Sequence, residues 1–372
     1  MLVAVTSINQ ARKLRIAQVA PLHESVPPAL YGGTERIVSY LTEELVELGH
    51  DVTLFASGDS RSRARVVGPC PRSLRLAHAS DTLAYHYLML EQVYRQVGDF
   101  DVVHFHIDYL HFPLTRRHSL AHVTTLHGRL DLPHLPPLYD EYRDMPVISI
   151  SDSQREPLPN ARWVATVPHG LPLDLHREGD GGDYLAFVGR ISPEKGLDRA
   201  IAIAEASGCK LKVAAKIDAA DAEYFKRDIA SLLTKGCIEF LGEIGEQEKG
   251  ELLRGARALL FPVDWPEPFG LVMIEAFACG TPVIAYRRGS VSEVVEDGVT
   301  GFIVDELDQA IAAVGKLDAL SRHVIRERFE VRFSAGRMTN DYVDIYRNII
   351  DAHHHTRAEP GLPHPGHQLA SG

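Results

Sequence analysis

Residues 184–215, YLAFVGRISPEKGLDRAIAIAEASGCKLKVAA, contain one complete strand–helix–strand unit. The runs YLAFVG and KLKVAA are short and apolar, as expected of strands that are covered on both faces. Between them, RISPEKG has the composition of a short loop, and LDRAIAIAEA has the length and spacing of a helix. Because two strands joined through a helix run parallel, this stretch predicts an α/β fold built on a parallel sheet.

The same alternation of apolar runs and helical segments recurs along most of the chain. Before residue 170 the apolar runs are RIAQVA, DVTLFA, DVVHFH, HVTTLH, PVISIS and WVATVP, and after it they are YLAFVG, KLKVAA, IEFLG, ALLFP, PVIAY and GFIV. A chain of 372 residues is long enough for two domains. We therefore expect two doubly wound parallel-sheet domains, residues 1–170 and 171–333, joined near the Gly/Asp-rich segment 178–183.

The C-terminal end has a different pattern. Within residues 334–355, apolar side chains recur at a helical spacing, at Met338, Tyr342, Ile345 and Ile349. Residues 356–372 are rich in Pro, Gly and His and contain few apolar residues. We expect a final helix over 334–355 and a disordered tail over 356–372.

Composition excludes several classes of protein. The net charge of −11 argues against nucleic acid as a partner. The four cysteines are far apart and form no CxxC pair, which argues against a disulfide framework or a zinc knuckle. No run approaches the roughly 18 apolar residues that span a bilayer. From these features we expect a cytoplasmic protein.

Five arginines are concentrated in the stretch SRSRARVVGPCPRSLR, at Arg61, Arg63, Arg65, Arg72 and Arg75. Such a run of like charges usually forms a solvated loop. The alternative interpretation is weak contact with an anionic membrane surface, and the sequence leaves both open.

Two cations follow the strand YLAFVG. Arg190 and Lys195 belong to the loop RISPEKG, at the carboxyl edge of the predicted sheet, where ligands bind in open α/β folds. The fork of an arginine and the point charge of a lysine together suit a diphosphate. The alternative is a pair of exposed loop charges.

A second stretch, DWPEPFGLVMIEAFACGTPVIAY (264–286), contains two carboxylates. Glu275 is the only charged residue of an apolar helix and needs a polar partner. Glu267 lies in the loop before this helix, about 10 Å away at about 1.5 Å of rise per residue. This is beyond the roughly 5–9.5 Å at which two carboxyls flank one glycosidic bond in hydrolases. Each carboxylate is better suited to binding hydroxyls, although a satisfied core residue and a loop acid are the alternative.

The backbone between these two carboxylates is also informative. The amides of Phe269, Gly270, Leu271 and Val272 open the helix and present free N–H groups to an anion. A hydroxyl acceptor, an anion cradle and a second hydroxyl acceptor together match the chemical outline of a nucleotide sugar.

Gly32 and Gly33 form a tight loop in front of an amphipathic helix, after the first strand. Such a loop can approach a phosphate or a sugar closely. The sequence there is neither a GxGxxG fingerprint nor a P-loop. A plain turn capped by Thr34 is the alternative.

His127 follows the strand HVTTLH and precedes Gly128, at the same edge of the first sheet. It is placed to reach a ligand held by the second domain, although a structural role is the alternative. His104 and His106 alternate along a strand and share one face, but two histidines without a third ligand make a weak metal site. We predict no metal site.

Three motifs, YGGTER, GRISPEKG and EPFGLVMIEAFACGTPVIA, resemble those of glycosyltransferase family 4 (GT4), the retaining enzymes with the GT-B fold. The resemblance extends over residues 15–346, and the motif with the two glutamates is its most specific part. It implies two Rossmann-like domains that face each other across a cleft. It further implies an acceptor bound by the first domain, a nucleotide-sugar held by the second, and a final helix that crosses back to the first.

The resemblance also implies residue roles: Glu275 on the ribose, Glu267 on the sugar hydroxyls, Arg190 and Lys195 on the diphosphate, His127 beside the sugar, and Gly32 and Gly33 under the leaving group. The implied reaction moves a hexose, with retention, from a UDP- or GDP-sugar to a hydroxyl on a saccharide, a lipid-linked acceptor or a small molecule. Neither a metal nor another cofactor is expected. A sugar-nucleotide epimerase or a phosphorylase of the same fold is the alternative enzyme, and a non-catalytic carbohydrate-binding protein is the alternative outside enzymes.

Overall fold

The computed structural model describes residues 12–29 and 32–358, with side chains up to residue 355. Residues 1–11 of the predicted first domain, Tyr31 of the YGGTER motif and residues 359–372 of the predicted tail lie outside the described residues. Two parallel sheets organise the rest of the chain.

The first sheet has seven strands in the order β3-β2-β1-β4-β5-β6-β7. The strands are β1 (Arg15–Val19), β2 (Asp51–Phe55), β3 (Arg65–Val67), β4 (Val102–Phe105), β5 (His122–Thr125), β6 (Pro146–Ser149) and β7 (Arg162–Thr166). Each neighbouring pair is parallel. The order reverses at β1, which lies between β2 and β4, and this reversal leaves a crevice at the carboxyl ends of the strands.

The second sheet has six parallel strands in the order β10-β9-β8-β11-β12-β13. They are β8 (Tyr184–Arg190), β9 (Lys210–Lys216), β10 (Ile238–Gly242), β11 (Ala258–Phe261), β12 (Val283–Tyr286) and β13 (Gly301–Val304). The order reverses at β8, so its carboxyl end, with Arg190, lies at the switch point where open α/β sheets bind ligands.

The strands are joined by helices: α1 (Gly33–Glu47), α2 (Leu83–Arg95), α3 (Phe112–Thr115), α4 (Leu135–Glu141), α5 (Leu197–Ala206), α6 (Ala222–Tyr224), α7 (Glu246–Arg254), α8 (Leu271–Ala278), α9 (Val291–Val294), α10 (Leu307–Val314), α11 (Arg322–Arg332) and α12 (Ala335–Ala358). The prediction of two doubly wound parallel-sheet domains is confirmed. Within the described residues, no helix is long and apolar enough to cross a membrane.

Strand β3 was missed by the sequence analysis. It has only three residues, lies at the edge of the sheet and begins at Arg65, which is opposite Thr53 of β2. Its residues lie in the arginine-rich stretch. The two valines that follow Arg65 are too few to form an apolar run that indicates a strand. Edge strands of this kind carry little hydrophobic signal because one side of the strand is exposed.

Several arginines of this stretch are bonded to the first domain. Arg63 forms ion pairs with Glu43 at 2.7 Å and with Glu47 at 2.6 Å, and Arg65 donates to the Gln96 side chain at 2.9 Å. Arg75 pairs with Glu24. These contacts hold the three guanidinium groups against the protein surface.

Helix α12 begins in the second half of the chain and packs on α1, β4 and β5 of the first sheet. Its tyrosines Tyr342 and Tyr346 are fully buried and belong to the same hydrophobic cluster as Ile37 of α1 and Phe277 of α8. This shared cluster gives the two sheets a common apolar contact.

Candidate active site

A cleft of about 820 Å³ lies between the carboxyl edges of the two sheets. All the residues that the sequence analysis proposed for catalysis and donor binding line it: Gly32, Gly33, His127, Arg190, Lys195, Glu267, Phe269, Gly270, Leu271, Val272 and Glu275. The structure thus brings these side chains together, although they are spread over more than 240 positions of the sequence.

Lys195 is held at the cleft by the turn after β8. The segment Pro193–Lys195 forms a short 3₁₀ turn, and Gly196 ends it with φ of 70°. A Cβ atom at Gly196 would lie 2.2 Å from the Pro262 carbonyl oxygen, so only glycine fits there. This close approach places the turn directly against the loop that carries Glu267.

The Lys195 ammonium donates to Oε2 of Glu267 at 2.5 Å. The same oxygen accepts a bond from the indole N–H of Trp265 at 3.0 Å, and the ammonium lies 4.9 Å from the centre of the Trp265 ring. The sequence analysis assigned no role to Trp265. In the structure, it orients the Glu267 carboxylate together with Lys195.

Arg190 is surrounded by carboxylates. Its guanidinium contacts Glu194 at 2.5 Å, Asp221 at 3.6 Å and Asp218 at 3.8 Å. Burial alone would raise the pKa of Glu194, but bonds from backbone N–H, Ser192 and Arg190 lower it instead. The carboxylates hold this cation at the cleft, and an anionic ligand can replace them as a partner of Arg190.

Glu275 has the polar partner that its burial requires. The Lys249 ammonium of α7 donates to its Oε1 at 2.6 Å. Lys249 also lies 3.1 Å from Glu246. The sequence analysis predicted that Glu275 needs a partner but missed Lys249 and Glu246, because α7 is a polar helix with no motif that distinguishes one lysine from another.

Glu246 also connects the two domains. Arg36 of α1 reaches its Oε2 at 2.5 Å, and His176 lies 3.1 Å from its Oε1. Burial alone would raise the pKa of Glu246, but the bond to His176 and the charges of Lys249 and Arg36 lower it. Glu246 is therefore an ionised carboxylate between a cation of each domain, one helical turn from the partner of Glu275.

The glycine loop of the first domain packs against the second. A Cβ atom on Gly33 would lie 3.3 Å from Cδ1 of Leu271, the first residue of α8. Gly270 precedes α8 in a left-handed conformation, with φ of 79°. The amides at the start of α8 therefore lie near two residues without side chains, Gly32 and Gly33, which leaves room for a ligand to approach the backbone.

His127 lies between two other histidines at the first sheet's edge. Its Nε2 is 2.9 Å from Nδ1 of His106, and its ring stacks on His169 at 5.3 Å. Burial lowers the pKa of His127 to about 3, so its imidazole is neutral at neutral pH. Sequence analysis identified His127 but missed its contacts with His106 and His169, which come from separate segments of the chain.

The described residues contain no group of three or more His, Cys, Asp or Glu side chains arranged to hold a metal ion. His104 and His106 do share one face, with ring centres 4.0 Å apart, but their nitrogens bond to other protein groups.

Two family models match the chain in succession. Residues 31–169 match Glycosyltransferase Family 4, and residues 176–329 match Glycosyl transferases group 1. Among curated proteins, phosphatidyl-myo-inositol mannosyltransferase of Mycobacterium tuberculosis (strain ATCC 25618 / H37Rv) is 24% identical over 381 residues, which cover 91% of this chain and 96% of that protein.

Solved structures share the whole architecture. Sucrose-phosphate synthase from Thermosynechococcus elongatus superposes with a TM-score of 0.72 at 20% identity, over 92% of this chain and all of that one. HepE of Anabaena, in complex with UDP and glucose, has a TM-score of 0.70 at 17% identity, over 90% of this chain and all of that one. With both domains matched by glycosyltransferase families and the two-sheet architecture shared, the protein belongs to the group 1, family-4-type glycosyltransferases of the GT-B fold.

Proposed function

We propose that the protein transfers a hexose, with retention, from a UDP- or GDP-sugar to a hydroxyl acceptor. The observation that carries the proposal is the set of groups that line one cleft. Glu275 with Lys249 and Glu267 with Trp265 supply carboxylates for two polyol sites, and Arg190, Lys195 and the amides at the start of α8 supply donors for an anion. A nucleotide-sugar contains the matching groups, which are a ribose, a diphosphate and a hexose.

The diphosphate site explains how the leaving group is stabilised. As the bond from the sugar to the diphosphate breaks, negative charge grows on the phosphate oxygens. Arg190, Lys195 and the free amides at the start of α8 are preorganised to receive this charge. Two cations and a helix N-terminus provide the stabilisation that a divalent ion supplies in other transferases, so we propose that the reaction needs no metal.

Two features of the cleft support the proposal of retention. The neutral His127, whose pKa is far below neutral, is a poor general base. Glu267 accepts hydrogen bonds from Lys195 and Trp265, and these bonds make its carboxylate a weaker nucleophile. We propose that the acceptor oxygen bonds to the anomeric carbon on the face that the diphosphate leaves, while a diphosphate oxygen takes the hydroxyl proton.

The first domain's wall of the cleft is suited to a polyhydroxylated acceptor. The buried Glu24 forms an ion pair there with the partly exposed Arg75, beside His23. Carboxylate and guanidinium groups bond to hydroxyls as acceptors and donors respectively. The Mycobacterium relative is named for a mannosyl transfer to phosphatidyl-myo-inositol, which is a lipid-linked polyol. We propose a saccharide, a lipid-linked polyol or a small polyol as the acceptor class, and a cytoplasmic location stays a prediction.

The test is an acceptor-dependent assay with purified protein. UDP- and GDP-sugars are offered one at a time with a panel of saccharide and inositol acceptors, and products are detected by mass spectrometry. The proposal predicts that nucleoside diphosphate and a glycosylated acceptor form together in equal amounts. Turnover of the sugar nucleotide without an acceptor would favour an epimerase, and turnover that requires inorganic phosphate would favour a phosphorylase.

A further inference from the structure

A chain of hydrogen bonds connects helix α12 to His127 through the interior of the first domain. The Tyr346 hydroxyl accepts from Nε2 of Gln18 at 3.0 Å, and Oε1 of Gln18 lies 2.8 Å from Nε2 of His106. Nδ1 of His106 then lies 2.9 Å from Nε2 of His127. Tyr346 and Gln18 are fully buried, and His106 is nearly so. Water therefore does not compete for these bonds, and their direction is set by the side chains themselves.

The chain continues on the other side of Tyr346. Its hydroxyl lies 2.7 Å from Nδ1 of His104, and Nε2 of His104 lies 2.7 Å from the Thr125 hydroxyl. The Thr125 hydroxyl ends the chain at the Tyr342 hydroxyl, 3.1 Å away. Every nitrogen of both strand histidines is thus occupied by a protein group.

The direction of each bond follows from the Gln18 amide. Because the amide oxygen accepts from His106, the proton of a neutral His106 is on Nε2 and its Nδ1 is an acceptor. His127 must then donate from Nε2. At the other end the Gln18 NH₂ group donates to Tyr346, whose own proton goes to Nδ1 of His104. Each group donates and accepts consistently along the whole chain.

The remaining nitrogen of His127 supports the same direction. Nδ1 of His127 is buried and has no hydrogen-bond partner within the described residues. A buried N–H without a partner is rarer and more costly than an acceptor with an unused lone pair. With its proton on Nε2, His127 leaves Nδ1 as an unpaired acceptor, which costs less than an unpaired N–H at the same place.

We infer that His106, Gln18 and Tyr346 are positioning residues that hold His127 in the Nε2–H tautomer. Because Tyr346 belongs to helix α12, the tautomer of His127 depends on how that helix packs. The inference rests on the proposed function only for its effect on turnover. The tautomer itself is a property of the unliganded protein, and it can be measured without any substrate.

The first experiment reads the tautomer directly. Protein labelled with ¹⁵N-histidine is examined by long-range ¹H–¹⁵N correlation, and the His127 signals are assigned from their loss in His127→Gln. We expect His127 and His106 to be protonated on Nε2 and bare on Nδ1. A proton on Nδ1 of His127 would overturn the inference, whatever the protein's activity turns out to be.

The second experiment removes one hydroxyl from α12. Tyr346→Phe deletes the group that accepts from Gln18, whereas Tyr342→Phe, the matched control, deletes a hydroxyl whose one hydrogen bond within the described residues is to Thr125. We expect Tyr346→Phe to give mixed His127 tautomers and a roughly tenfold lower kcat, with the KM for the sugar nucleotide within about twofold. The control should keep the tautomer and kcat within about twofold.

Gln18→Met provides a second variant of similar shape, without the amide oxygen that accepts from His106. We expect it to give the same mixed tautomers as Tyr346→Phe. A single Nε2–H tautomer in both variants would overturn the positioning role. If the tautomer shifts as expected but no sugar nucleotide is turned over by the wild type, the proposed function fails and the inference stands.

Discussion

Replacing Lys249 with methionine tests the ion pair at the proposed ribose site. The Lys249 ammonium contacts Glu275 at 2.6 Å, and the two side chains are only 14% and 5% exposed. Methionine keeps most of the side chain's apolar length but removes the charge, so Glu275 is left buried without its cation. Removing one partner of a buried pair costs about 3–5 kcal/mol. Because the lysine is slightly exposed, we expect a loss of about 3 kcal/mol in the free energy of unfolding.

The assay is denaturant unfolding followed by circular dichroism, with two matched comparisons. Lys226→Met removes an ammonium 3.2 Å from Glu223, where the side chains are 70% and 87% exposed, and it should cost about 0.5 kcal/mol or less. The double variant Lys249→Met/Glu275→Gln has no unpaired charge at position 275. We expect it to be about 1–2 kcal/mol more stable than Lys249→Met alone.

Equal losses in Lys249→Met and Lys226→Met would refute this reasoning, because they would show that Glu275 does not depend on a buried cation. A double variant less stable than Lys249→Met would refute it as well. The uncompensated charge of Glu275 could not then be the origin of the lost stability, because neutralising it should restore stability.

Three further predictions concern catalysis. Glu267→Gln and Lys195→Ala should each lower the rate of transfer by roughly 10²-fold or more with unchanged circular dichroism, and near-normal rates in both would remove these residues from the site. Activity should survive treatment with EDTA, because two cations and a helix N-terminus face the proposed diphosphate; complete loss that Mg²⁺ or Mn²⁺ restores would disprove this. His127→Ala should lower kcat more than it weakens nucleotide-sugar binding measured by calorimetry, and an effect confined to binding would contradict its place beside the reacting sugar.

The sequence was sufficient for most of the fold because the inner strands of both sheets are buried on two faces. Runs such as YLAFVG and PVIAY are therefore continuously apolar, and the segments between them are long enough for helices. Strand β3 was missed because an edge strand of three residues, starting at Arg65, has no such run. Its pairing with β2 depends on tertiary position rather than on local pattern.

The residues of the candidate site could be predicted from the sequence, but the side chains that they contact could not. The cost of burying a carboxylate predicted that Glu275 has a partner, yet the choice of Lys249 depends on how α7 packs beside α8. The contact of Lys195 with Glu267 joins residues 72 positions apart, because β8 and β11 are neighbours in the sheet. Period-two alternation placed His104 and His106 on one face, but their bonds to Gln18 and Tyr346 come from distant segments.

The most direct test of the account is the stereochemistry of the product. Protein is incubated with an α-linked sugar nucleotide and an acceptor identified in the panel, and the anomeric proton of the new glycosidic bond is observed by ¹H NMR. The account predicts an α-linked product with a small anomeric coupling if the sugar has the gluco configuration. A β-linked product would contradict retention and the roles proposed for Arg190, Lys195 and the diphosphate oxygen.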